Sequence, residues 1–90
     1  MTLYILKAVP SGRHKIGITD QFDQRLSAIR RQNSEELLVV RTYHGDSDYI
    51  KQLEREIHAE LDGVRWQYEY FHGGPEIDLV LARLDCQFHP

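Results

Sequence analysis

Ninety residues suffice for one small domain, 1–90, and leave no room for two separately packed cores. Hydrophobic residues make up 41% and charged residues 28%, the balance of a folded globular chain rather than a disordered one. The single cysteine, Cys86, excludes an internal disulfide and a cysteine-rich zinc cage. The N-terminal run MTLYILKAV is too short for a signal peptide, and no stretch nears the roughly 18 apolar residues of a membrane span. The expectation is a cytoplasmic protein with no membrane partner.

Net charge is −3, against the basic surplus that non-specific nucleic-acid binders usually carry. The charge is unevenly spread. Residues 1–31 hold Lys7, Arg13, Lys15, Arg25, Arg30 and Arg31 against only Asp20 and Asp23, a local charge of +4. The remaining 59 residues carry −7. An anionic ligand would meet the N-terminal third.

Leu3 to Val9 is a β-rich apolar run ending in the turn chemistry of Pro10-Ser11-Gly12, and HKIGIT at 14–19 resumes as a second strand. The two predict an antiparallel hairpin. Thr19 or Asp20 can cap a helix in which Phe22, Leu26 and Ile29 recur at helical spacing. Leu37 to Tyr43 is a third strand. Ser47 or Asp48 can cap a second helix, striped by Ile50, Leu53, Ile57 and Leu61 and stopped by Gly63. Trp66 to Phe71 is an aromatic segment that suits a short strand or an ordered loop. A last helix follows from about Glu76 to Leu84. The order ββαβα, an aromatic segment, then α predicts an α+β fold, with a small three-stranded, mostly antiparallel sheet flanked by helices.

Several residues are not explained by packing. At about 100° per residue, the stripe of the second helix spans an arc of about 80°. Glu54 falls just beyond its edge and His58 further round, so this i, i+4 pair lies at the margin of the buried face. A surface pair worth a few tenths of a kcal/mol is the plain alternative to a shared cleft. Arg25 is similarly marginal on the first helix, either a snorkelling stem or a planar donor for phosphate oxygens. Tyr4 is the polar-tipped residue of an apolar strand, fit for a core phenol with a satisfied hydroxyl. Gly17 interrupts a strand, as glycines do where another group approaches closely, and Lys15 shares its face. The segment 66–71 is aromatic enough to stack on bases, or to lid the core. His44, His72 and His89 have no partner spacing.

In chain order these positions resemble the GIY-YIG nuclease superfamily, in its short phage and bacterial subgroup with a K-I-G second signature. The matching residues are Leu3-Tyr4-Ile5, Lys15-Ile16-Gly17, Arg25-Leu26, Glu54 with Ile57-His58, and Glu69-Tyr70-Phe71. The last stands where the subgroup usually has Glu-Trp-Phe. The resemblance covers residues 3–72. It implies a metal-dependent endonuclease that hydrolyses DNA phosphodiester bonds. Glu54 would hold one Mg2+ or Mn2+, Arg25 would grip the scissile phosphate, Tyr4 would position or deprotonate water, and Gly17 would let the backbone pass close to the substrate. The chain departs from the wider superfamily at Lys15, where a tyrosine usually stands, and at Ile18, often basic. His58 can then act as the base, with Tyr4 as its competitor and Lys15 as the supporting cation. The second functional reading is a non-catalytic binding or regulatory module on the same fold. A lone domain has little surface for sequence recognition unless it forms a homodimer.

Overall fold

The first strand, β1 (Thr2–Val9), is buried on both faces: Leu3 and Ile5 point one way, Tyr4, Leu6 and Ala8 the other. A strand covered on both sides cannot alternate apolar with polar, which is why TLYILKAV reads as a continuous run. The structure, a computed structural model, describes residues 1–88. After β1 come β2 (His14–Thr19), α1 (Phe22–Gln32), β3 (Glu36–His44), α2 (Ser47–Glu60), a 3-10 turn (Asp62–Val64), β4 (Arg65–Gln67), β5 (Tyr70–Phe71) and α3 (Pro75–Phe88). Among the described residues no helix is long and apolar enough to cross a membrane.

The sheet has five strands, in the order β3-β1-β2-β5-β4, and every neighbouring pair is antiparallel. The three-stranded expectation is therefore too small. The aromatic segment folds into its own hairpin, β4–β5, and adds it to the outer edge of β2 through His14↔Phe71 and Lys15↔Tyr70. Strands of three and two residues are too short to show a period of two, so only the pairing partner reveals them.

Two cores lie on opposite faces of the sheet. On one, Leu3, Ile5 and Ile16 meet Ile50, Leu53, Ile57 and Leu61 of the α2 stripe together with Ile77, Val80 and Leu84 of α3. On the other, Tyr4, Leu6 and Ala8 meet Ile29 and Leu37, with Phe22 and Leu26 of α1 packed against them.

The helix ends differ from expectation by a residue or more. Gln21, rather than Thr19 or Asp20, occupies the N-cap of α1 without a side-chain bond, while Thr19 Oγ1, two residues earlier, accepts from the Gln21 amide. Asp46, rather than Ser47 or Asp48, caps α2 by accepting from the Asp48 amide. Helix α3 runs on to Phe88, whose ring lies 4.9 Å from Tyr43 and 6.2 Å from Tyr49. That aromatic contact favours the extra turn. Cys86 is exposed on α3.

Candidate active site

The pairing of β5 with β2 ends at Lys15, and this opens a notch in the sheet. The Ile16 amide donates to the Glu69 carbonyl across 3.0 Å, the last backbone contact between the two segments. The Ile16 carbonyl is taken by a side chain instead: His58 Nε2 lies 2.9 Å from it. A carbonyl only accepts, so Nε2 carries the proton of this bond and Nδ1 makes no part of it. The ring is also fixed edge-on against Phe71, 5.1 Å between centroids. Through this notch side chains from opposite faces of the sheet come together.

From the α1 face come Tyr4, Gly17 and Lys15. Tyr4 pairs with Gly17 and Leu6 with Lys15, and directly paired residues share a face. Gly17 has a spatial purpose. A Cβ there would stand 2.6 Å from Tyr4 Cζ, closer still to the hydroxyl, and 3.0 Å from Glu69 Oε2. The missing side chain is filled by the Tyr4 phenol, which is 1% exposed and packs on Phe22 at 5.8 Å.

Arg25 reaches the same hydroxyl from α1. The contact pushes the guanidinium pKa up from its already high value, so the charge is permanent. Burial pushes the Tyr4 phenol up, opposed by the Arg25 hydrogen bond and reinforced by the negative charge of Glu69. Near neutrality the Tyr4 phenol therefore keeps its proton, and its burial works against ionisation.

Glu54 enters from α2, half-buried at the margin of the stripe as its spacing predicts. Burial raises its pKa, the positive field of His58 opposes that, and Glu69 adds to it. Among the described residues no hydrogen bond or ion pair occupies its oxygens. A desolvated carboxylate without a partner is an unfavourable place for a negative charge, and a cation would relieve it. Among the described residues no three acidic, histidine or cysteine side chains gather into a metal cluster. The donor set suits a hard ion held by one carboxylate and otherwise by water and phosphate oxygens.

Lys15 is more committed than expected. Its ammonium pairs with Glu69 at 3.1 Å, sits 4.8 Å from the centre of the Tyr70 ring, and is only 11% exposed. Glu69 belongs to the turn between β4 and β5, and no spacing in the sequence links it to Lys15, 54 residues away. The hairpin pairing brings them together. Tyr4, Lys15, Gly17, Arg25, Glu54 and His58 thus share one neighbourhood, joined by Glu69. Of the remaining histidines, His14 Nδ1 lies 3.0 Å from the Gly12 carbonyl, His44 Nδ1 lies 2.9 Å from Thr2 Oγ1, and His72 donates its backbone amide to the Val64 carbonyl; His89 is outside the described residues.

No curated protein and no solved structure matches the chain. A family model does. The T5orf172 domain, a phage-associated domain of nuclease-like and DNA-binding proteins, matches residues 1–84.

Proposed function

The chain belongs to the T5orf172 domain family, and from that premise we propose that it is an endonuclease of GIY-YIG type that hydrolyses DNA phosphodiester bonds with one divalent cation. The observation that carries this reading is that Glu54, from the α2 layer, lies within electrostatic reach of the Tyr4 hydroxyl that Arg25 contacts from the α1 layer. Glu54 comes from a different layer of the fold, its carboxylate is partly desolvated, and neither it nor the Arg25 guanidinium is needed to fill the core. A binding module could use the arginine, but it has no need of a carboxylate where phosphate would lie.

Glu54 would hold Mg2+ or Mn2+, whose chemistry at this place is to neutralise charge on the phosphate and on the departing 3′ oxygen. Arg25 donates to the non-bridging oxygens, which gain charge as water attacks. The Tyr4 hydroxyl, held by Arg25 and sheltered under Gly17, orients the water or a phosphate oxygen. His58 Nδ1 accepts the water's proton, because its Nε2–H is committed to Ile16. Lys15, locked to Glu69, contributes field and position rather than a direct grip on substrate.

The test is nicking of supercoiled plasmid in Mg2+, in Mn2+ and in chelator, for wild type and Glu54→Gln. Wild type should nick only with metal, and Glu54→Gln should not. If pure wild-type protein cleaves no DNA with either ion, the domain is a binding module and the hydrolytic reading is wrong.

A further inference from the structure

Beside the notch, on the α1 face of the sheet, lies a cleft of about 300 Å3 between the β4–β5 hairpin and the C-terminal end of α1. That is the lower end of the range for small-molecule sites. Its walls are aromatic. The Trp66 and Tyr70 rings meet edge-on, 6.2 Å apart at 85°. The Arg13 guanidinium lies over Trp66, 3.7 Å from the ring centroid, yet the indole stays 44% exposed. Tyr70 is fixed by a hydrogen bond from its hydroxyl to Asn33 Oδ1 at 2.9 Å, and Asn33 Nδ2 in turn donates to the Ile29 carbonyl. Tyr68, at the turn, is 79% exposed and adopts φ 51°, a left-handed conformation unusual for a tyrosine. Arg65 holds that turn, donating to the Tyr68 carbonyl and pairing with Asp62.

We propose that this cleft receives one unstacked nucleobase of a single-stranded DNA segment whose phosphate lies at the Tyr4–Arg25–Glu54 notch. The inference rests on the nucleic-acid reading of the notch and adds the form of the substrate. A part-exposed indole beneath a guanidinium, the fixed ring of Tyr70 and the exposed ring of Tyr68 match a flat π-ring. Aliphatic side chains, which a protein-docking groove needs, are nearly absent from the walls: Ala8 is the one contributor. The carboxylate of Glu35, whose Oε2 already accepts from the Ser11 hydroxyl at 2.7 Å, repels phosphate and keeps Oε1 to accept from exocyclic amino groups of a base edge. The cleft is also continuous with the notch. Leu6 pairs with Lys15 and Lys15 with Tyr70, so Tyr70 shares the face of Tyr4, and the Lys15 ammonium bridges the two places. A base stacked within a duplex cannot present its faces to such walls. The site therefore selects single-stranded or unpaired DNA.

Trp66 is the single tryptophan of the chain, so its emission reports the cleft directly. The whole chain is titrated in EDTA, at fixed salt, with a single strand of about 12 nucleotides, an abasic strand of equal length, and the matching duplex. The normal strand should quench Trp66 and bind at least about fivefold tighter than the other two. Tyr68→Asn keeps a residue that tolerates the left-handed backbone and removes the ring. It should weaken the normal strand by about five- to a hundredfold and leave the abasic strand unchanged, with circular dichroism showing the fold intact. Unaltered Trp66 emission at saturation, equal affinity for the abasic strand, or no effect of Tyr68→Asn overturns the proposal. Chelator separates the two readings. Base-dependent quenching by a protein that never nicks refutes hydrolysis alone, and metal-dependent nicking without base-dependent binding refutes this inference alone.

Discussion

Replacing Gly17 by alanine tests the geometry of the notch most directly. Ordinary contact with a Cβ begins near 3.4 Å, and the new methyl would meet Tyr4 Cζ at 2.6 Å, so the phenol must retreat by about 0.8 Å. It has nowhere free to go. Tyr4 is 1% exposed, with Phe22 on one side and Leu6 and Ile29 in the same cluster. The backbone of Gly17 lies outside the left-handed region, so steric crowding is the whole effect. Forcing a methyl into a packed core typically costs about 1–3 kcal/mol. For a domain of this length that lowers Tm by about 4–24 °C. Thermal melts by circular dichroism read it, with Gly63→Ala as control because a Cβ there meets nothing within 4 Å. Tyr4→Phe in the Gly17→Ala background should recover little stability, since Cζ remains in the way. Plasmid nicking should fall with the displaced hydroxyl. If Gly17→Ala melts within about 2 °C of wild type, well under the expected loss, the phenol is free to move and the argument for a preformed notch fails.

Three further expectations concern the charged groups. The Glu54 pKa is raised above its ordinary 4.5, so its ionised form opposes folding: the contribution is fully favourable below about 4.5 and is lost as pH rises through the folded-state value. Glu54→Gln should therefore melt no lower than wild type at pH 7, and Mg2+ should raise the Tm of wild type but not of the variant, with exposed Glu56→Gln behaving as wild type; a markedly lower Tm for Glu54→Gln at pH 7 contradicts the burial argument. Arg25→Ala should cost about 1 kcal/mol, the worth of its hydrogen bond to the buried Tyr4 hydroxyl, while removing most nicking, and Arg25→Lys should restore only part, for want of the planar fork; unfolding by Arg25→Ala would make the residue a packing element. His58→Gln, which can still donate to the Ile16 carbonyl, should fold and not nick, whereas His58→Ala should lose about 1 kcal/mol and regain nicking with added imidazole. Abolition by Tyr4→Phe, with His58→Gln near wild type, would assign the base to Tyr4.

The sequence by itself determined the local elements and the margins of each helix. Periodicity is a short-range property, so the β1–β2 hairpin, the α2 stripe and the half-buried rank of Glu54 and His58 could be read from neighbours four residues away. The motif order along residues 3–72 pointed to a GIY-YIG nuclease resemblance; the family model that matches, over residues 1–84, is the T5orf172 domain. Tertiary structure alone decided what lies far apart in the chain. The β4–β5 hairpin, the Lys15–Glu69 pair, the commitment of His58 Nε2 to Ile16, and the Tyr70–Asn33 bond that shapes the aromatic cleft span 37 to 54 residues or rest on strands of three and two. Such contacts leave no period, because they depend on which strand edge the hairpin happens to join. Gly17 marks the boundary between the two: a glycine within a strand signals close approach, but only the folded chain identifies the Tyr4 phenol as the group that approaches.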